Sequence, residues 1–245
     1  MKNILIIDSG SGGVNVLFEC LKLCPNNNYL LYIDQKNLPY GNKNSTKLKK
    51  IAVEIIENNK NFNPEIIIIG CNTLTSVAIN FLREKYKDLI FIGSEPAIKP
   101  ALKEFEKDEI LVIATEVTIN NSKPLKNFQD ICFCPKELPQ IVDDNLFDRG
   151  KIIDYLKLVF KNKTPKALVL GCTHFEGIKH ELKDVFENVR FFGSAEGIAR
   201  RLLCFCHNEG SMQNIKIVSS TKEDEIKFKK YFNYLMSKYD QSNQN

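Results

Sequence analysis

Short apolar runs separated by amphipathic stretches set the rhythm of this chain. Mostly apolar runs occupy 3–7, 29–33, 65–69, 89–93, 109–113, 166–170, 189–193 and 214–218. A run that is apolar at both odd and even positions reads as a strand covered on both faces, the habit of parallel sheets. Helical spacing fills the gaps at 46–59, 74–87, 96–106, 147–161, 176–187 and 195–207. Helices recurring between such strands predict βαβ units and a mostly parallel α/β architecture. Segment 119–146 is the least regular. The polar tail from Ser237 onward reads as frayed. No low-complexity linker divides the chain.

The pattern also repeats. Ile66-Ile67-Ile68-Ile69-Gly70-Cys71-Asn72-Thr73 is echoed by Ala167-Leu168-Val169-Leu170-Gly171-Cys172-Thr173-His174. Each block continues through a helical stretch and a second strand to a Gly-Ser pair, Gly93-Ser94 or Gly193-Ser194. The closing glycine follows its cysteine by 22 residues in one copy and 21 in the other, so the two units match in length as well as in order. The repeat predicts two similar α/β lobes with a cleft between them. The first lobe is expected to take 1–93 and 209–245, the second 94–208. In open α/β sheets ligands bind beyond the carboxyl ends of the strands. Each block therefore puts a thiol at such an edge.

Composition narrows the class. A length of 245 residues suits one large domain or two smaller ones. The net charge of +4 comes from lysines scattered over helix faces, such as Lys47, Lys49 and Lys50, or Lys227, Lys229 and Lys230. A nucleic-acid groove wants clustered basic residues with interleaved aromatics, and no such block is present. No apolar run approaches the roughly 20 residues that span a bilayer. The N-terminus begins a strand at once, without a basic region and cleavable apolar stretch. The eight cysteines sit mostly in strands and amphipathic helices. In a chain of this size that predicts reduced thiols in a cytoplasm.

Several motifs carry candidate chemistry. The first strand runs into Asp8-Ser9-Gly10-Ser11-Gly12-Gly13 and a helical pattern. Such a turn can cradle an anion on backbone N–H groups. It matches neither the dinucleotide fingerprint nor the phosphate loop. Asp8 is either the cap of this turn or a charged partner for a nearby thiol or amine. Cys71 and Cys172 each stand where strand gives way to helix, a position that lowers a thiol pKa. The competing reading of each is a small buried hydrophobe. Asn72, Thr73, Thr173, Thr115 and Thr118 offer amides and hydroxyls suited to a carboxylate, or simply to helix capping. His174, two residues from Cys172, is placed to accept or return a proton. Leu38-Pro39-Tyr40-Gly41 reads as a turn after the second strand and Asp34. Cys132 and Cys134, and Cys204, Cys206 and His207, have spacing unsuited to structural zinc, and no metal site is expected. Neither thiol block contains the Cys-x-x-Cys of a dithiol redox protein.

Taken in order along nearly the whole length, these motifs resemble the glutamate racemases of the cofactor-independent aspartate/glutamate racemase superfamily. Asp8-Ser9-Gly10 with Gly12-Gly13 is similar to the family's N-terminal signature, and Pro39-Tyr40-Gly41 to its second loop. Gly70-Cys71-Asn72-Thr73 and Gly171-Cys172-Thr173-His174 match its two cysteine motifs. Glu95-Pro96, Thr115 and Thr118 also fall in family positions. The resemblance implies a two-base racemisation of glutamate that supplies D-glutamate for peptidoglycan. Cys71 would act on D-glutamate and Cys172 on L-glutamate, with Asp8 and His174 assisting. Ser9, Pro39, Tyr40, Gly41, Asn72, Thr73, Thr115, Thr118 and Thr173 would form the substrate site. It also implies a homodimer and no cofactor, and nothing in the chain signals pyridoxal phosphate or a flavin.

One departure stands out. The family usually carries a Glu three residues after a proline, thought to assist the amine or the histidine. Here the stretch is Pro139-Gln140-Ile141-Val142-Asp143-Asp144, so Val142 takes that place and Asp143 comes one position late. Either Asp143 substitutes as the auxiliary acid after a local shift, or the site differs. The alternatives are a racemase for aspartate or another amino acid, and a non-catalytic ligand-binding protein on the same scaffold.

Overall fold

The computed structural model describes residues 1–206 and 214–242. Nine strands are present among them: β1 Asn3–Asp8, β2 Asn28–Ile33, β3 Ile66–Ile69, β4 Ile90–Gly93, β5 Ile110–Ala114, β6 Cys132–Phe133, β7 Ala167–Gly171, β8 Arg190–Phe192 and β9 Ile215–Ser219. They form two sheets. One has the order β4-β3-β1-β2-β9, the other β6-β5-β7-β8. Every pairing is parallel. The expected two-lobed α/β architecture is therefore present.

The continuous apolar runs have a simple physical origin. In β1, Ile4 and Ile6 face a core shared with helix Gly12–Leu23, while Leu5 and Ile7 face another shared with helices Ser45–Asn58 and Asn72–Lys85. In β7, Leu168 and Leu170 face one layer and Ala167 and Val169 the other. Strand side chains alternate in direction, so a strand sandwiched between two apolar layers must be apolar throughout. Each fully buried Leu or Ile contributes about 1.5–3 kcal/mol.

After β4 the chain leaves the first sheet at Gly93-Ser94. It returns after β8 at Gly193-Ser194, where helix Ala195–Leu203 packs against helix Gly12–Leu23 of the first lobe. The two crossovers touch, with the buried hydroxyls of Ser94 and Ser194 2.8 Å apart. The repeat seen in the sequence thus meets itself at one hydrogen bond.

The structure corrects several expected elements. The helix expected over 96–106 is only Ile98–Ala101. Pro96 and Pro100 lack the N–H that a longer helix needs. The helix expected over 176–187 is a 3₁₀ turn, Thr173–Ile178, followed by the short helix Lys179–Lys183. Helix Asn72–Lys85 begins two residues earlier than the 74–87 pattern. The expected 195–207 helix ends at Leu203, and His207 lies outside the described residues. The last helix, Lys222–Ser242, runs through the stretch expected to fray. Its Phe228 and Tyr231 insert into the first lobe's core and anchor it there.

Candidate active site

The carboxyl ends of β1, β3, β5 and β7 converge between the lobes. β1 ends on Asp8, β3 runs through Gly70 into Cys71, β5 ends just before Thr115, and β7 runs through Gly171 into Cys172. Asp8, Cys71, Cys172 and His174 are all buried. Thr173 donates its hydroxyl to Asp8 Oδ2 at 3.1 Å, which joins the lobes beside the thiols.

The two thiols stand in different surroundings. Cys71 precedes helix Asn72–Lys85. Burial pushes its thiol well above the usual range, and the charges of Asp8 and Cys172 add to this. The backbone N–H groups of Leu74 and Thr73 pull the other way and lose. The expectation that the helix end would lower this thiol is thereby corrected: desolvation outweighs the helix dipole when the sulfur is shut away from water. Cys172 faces His174 instead, with Sγ 3.5 Å from Nδ1.

His174 in turn sits on Asp143, Nε2 to Oδ1 3.4 Å. Burial disfavours charge on the ring, but Asp143 and Cys172 outweigh it and hold the His174 pKa well above 6.5. Burial likewise disfavours charge on Asp143, yet His174 and Ser11 keep its carboxyl below the usual range. Asp143, displaced by one residue from the expected acid, therefore does reach the histidine, while Val142 turns into the apolar cluster with Leu168 and Leu170.

The glycine-rich turn holds an anion, as its sequence suggested, but the anion belongs to the protein. Ser11 donates its backbone N–H to Asp143 Oδ1 at 3.0 Å and to Oδ2 at 3.3 Å, and its hydroxyl donates to Oδ1 as well. Gln35, with its amide nitrogen turned inward, adds a donor to Asp143 Oδ2 at 3.1 Å. Two glycines make this approach possible. A Cβ on Gly10 would lie 2.1 Å from Asp143 Oδ2 and 2.4 Å from His174 Nε2, and one on Gly12 would lie 2.2 Å from Thr173 Oγ1.

Asp8 combines the two readings its sequence position allowed. Its Oδ1 accepts the N–H groups of Ser9 at 2.7 Å and Gly10 at 3.2 Å, as a turn cap would. Burial raises its pKa to about 6 against the lowering effects of His174, Gly10, Thr173 and Ser9. A carboxyl with that pKa can both hold and release a proton near neutrality.

The remaining expected site residues divide into groups. Thr73, Thr115 and Thr118 form a hydroxyl triangle across the lobes, with separations of 2.8, 3.2 and 2.9 Å. Thr115 also caps helix Glu116–Asn121. Asn72 is buried with neither amide atom hydrogen-bonded. Tyr40 is buried and donates its hydroxyl to Asp34 at 2.8 Å, so that oxygen is already engaged. Gly41 packs on Thr115, and Ser9 is buried beside Asp8. Pro39, Gly41 and Thr115 line a small cavity of about 70 Å³ together with Cys134, Pro135 and Lys136.

Sequence reasoning missed Ser11, Gln35 and Asn15. Asn15 donates to the Thr173 carbonyl at 3.2 Å and accepts from Tyr231 at 3.0 Å. Their partners lie far along the chain, and Ser11 reads locally as an ordinary helix cap. Among the described residues, no group of three His, Cys, Asp or Glu side chains could hold a metal ion. No described helix is long and apolar enough to cross a membrane.

Known proteins bear on this arrangement. No family model matches the chain. A glutamate racemase of Clostridium acetobutylicum is 34% identical over 239 residues, covering 90% of this chain and 93% of that protein. A glutamate racemase of Clostridium botulinum (strain Loch Maree / Type A3) is 35% identical over 244 residues, covering 92% and 94%. Among solved structures, Escherichia coli glutamate racemase in complex with L-glutamate and the activator UDP-MurNAc-ala is similar with a TM-score of 0.79 and 26% identity, covering 95% of this chain and 96% of that one.

Proposed function

Because this chain belongs to the glutamate racemase family, and is an amino-acid racemase and so an isomerase, we propose that it interconverts L- and D-glutamate without a cofactor. Cys71 and Cys172 are its two acid–base groups. The observation that carries this reading is the placement of two buried thiols at the ends of equivalent strands on opposed lobes, each beside a different acid.

Inverting a stereocentre by proton transfer needs a base on one face of Cα and an acid on the other. From L-glutamate, the Cys172 thiolate takes the α-proton and the C–H electron pair stays on the substrate, delocalised into the carboxylate. The Cys71 thiol then gives its proton to the opposite face. The product is D-glutamate with the protonation of the two cysteines exchanged, and D-glutamate reacts by the reverse path. Burial keeps Cys71 protonated, which suits the acid role in the L-to-D direction. His174, held charged by Asp143, stabilises the Cys172 thiolate, and Asp8 serves the Cys71 side.

The α-proton of an amino acid is very weakly acidic. Preorganised donors in a dry site are the available means of stabilising the carbanion. Asn72, Thr73, Thr115, Thr118 and Thr173 offer such donors for the carboxylates, and Ser9, Pro39, Tyr40 and Gly41 shape the wall. The unpaired amide of Asn72 favours substrate contact there, since a buried amide left without partners is costly. D-Glutamate made this way would supply peptidoglycan synthesis.

The test is α-proton exchange and inversion of L- and D-glutamate in deuterated water. Cys71→Ser and Cys172→Ser should each lose inversion while keeping the wild-type fold by circular dichroism. Full inversion by either variant would sink the two-thiol mechanism. Turnover of aspartate but not glutamate would overturn the substrate assignment.

A further inference from the structure

Ser11 has no role in the proton transfers proposed above, yet it is the first lobe's direct grip on the second lobe's ion pair. We infer that Ser11 is a positioning residue: its hydroxyl and backbone N–H clamp the Asp143 carboxylate against the His174 ring beside Cys172. This rests on the assignment of Cys172 as an acid–base group.

The argument begins with a helix end. Ser11 is the N-cap residue of helix Gly12–Leu23, but its side chain makes no capping bond to that helix. It turns instead to Asp143, 132 residues away, and is itself almost fully buried. Asp143 therefore receives the donors that a bound anion receives at a helix N-terminus. Without them, a buried carboxylate would be strongly driven to neutralise. A neutral Asp143 would leave His174 without the largest of the contributions that offset its own burial.

The groups facing this pair are few. Cys172 and Asp143 stand at the two ring nitrogens of His174. The Asp8 carboxyl, from the end of β1, is within electrostatic reach of the ring. Tyr231, from the last helix, senses the Asp143 charge. Gln35 approaches Asp143 from the segment after β2. Among these, Ser11 alone brings both a backbone and a side-chain donor to the carboxylate.

A consequence follows for pH. The clamp stabilises the charged form of Asp143, and charged Asp143 raises the His174 pKa. Loosening the clamp lets the carboxylate draw back from the ring, and that pKa must fall. The alkaline limb of the racemisation profile, where His174 loses its proton, must then move to lower pH. Enantiomers have equal free energy in solution, so the limb of kcat/KM must move identically from L- and D-glutamate.

The experiment compares wild type, Ser11→Ala, Asp143→Asn and the double variant. The His174 ring is titrated by NMR and assigned by its loss in His174→Asn. Racemisation is followed against pH in both directions. Ser11→Ala should lower the His174 pKa by about one unit and carry the alkaline limb of kcat/KM down with it. In the Asp143→Asn background, Ser11→Ala should cause no further shift, because its effect runs through the carboxylate. A lower melting temperature with an unmoved His174 titration would overturn the inference and leave Ser11 a packing residue. An equal shift in both backgrounds would overturn it too. The titration needs no turnover, so it judges Ser11 even if the cysteine variants refute the two-thiol mechanism.

Discussion

Replacing Gly10 with alanine tests the ion pair at its narrowest point. The added Cβ would stand 2.1 Å from Asp143 Oδ2 and 2.4 Å from His174 Nε2, where ordinary contact begins near 3.4 Å. The carboxylate oxygen must therefore retreat from the new Cβ by about 1.3 Å, the difference between 2.1 Å and the 3.4 Å of ordinary contact. An equal opening of the ion pair, from 3.4 Å to about 4.7 Å, in a medium of effective dielectric about 20, weakens the attraction from about 4.9 to about 3.5 kcal/mol. The loss of about 1.4 kcal/mol is about one pKa unit. His174 should titrate about one unit lower, and Asp143 should be easier to protonate. The stability lost has a defined window. His174 has a raised folded pKa, so its contribution is complete below pH 6.5 and declines as pH climbs through the folded value. Asp143 has a depressed one, so its contribution is complete above pH 3.8 and is lost as pH falls through the folded value. The variant should thus suffer most between those two pH values. Denaturant unfolding at several pH values, NMR titration of His174 and racemisation rates measure the three effects. If the pair also serves the transition state, the rate should fall about tenfold. Wild-type titration of His174 with a wild-type rate would refute the reasoning.

Asp8→Asn should separate stability from activity. The folded pKa of Asp8 is raised from 3.8 to about 6, so its charge opposes folding above pH 6 and the penalty disappears below pH 3.8. The variant should gain up to about 3 kcal/mol at neutral pH, gain nothing near pH 3.5 and lose racemisation. A less stable variant at neutral pH would contradict the burial argument. Phe160 packs edge-on against Phe133 and Phe186, with ring centroids 5.2 Å from each, and is not among the groups that meet at the thiols. Phe160→Ala should cost about 3–5 kcal/mol of unfolding free energy and leave KM for glutamate unchanged. A loss under 1 kcal/mol would mean that the aromatic cluster collapses around the gap.

What could be read along the chain was what the chain records locally. The strands were legible because burial on both faces leaves an apolar run with no polar face. The thiols were legible because each closes such a run after a glycine. Helix 96–106 misled because two prolines among helix-forming residues leave its length undecided. The pKa of Cys71 misled because the helix end is local, whereas the burial that overrides it comes from both lobes. Asp143 is the instructive case. Its position could be counted from Pro139, but its role depends on Ser11 and on which face of helix Leu138–Asp144 meets the core. Val142 fills the apolar layer and Asp143, next along the helix, points to the histidine. No spacing rule connects residues 11, 143 and 174. Only the folded chain does.

The placement of the Ser11 clamp across the lobes also bears on how far each lobe depends on the other. Asp143 and His174 belong to the second lobe, and Ser11, which holds the carboxylate, belongs to the first. Taking the first lobe's donors away would leave the buried carboxylate uncompensated and remove part of what holds the histidine charged. The Asp143–His174 ion pair is thus a joint product of both sheets, and neither lobe alone supplies all of its partners. Contact between the lobes is in this sense written into the charge of one side chain, so that a change at residue 11 of the first is felt at residue 174 of the second.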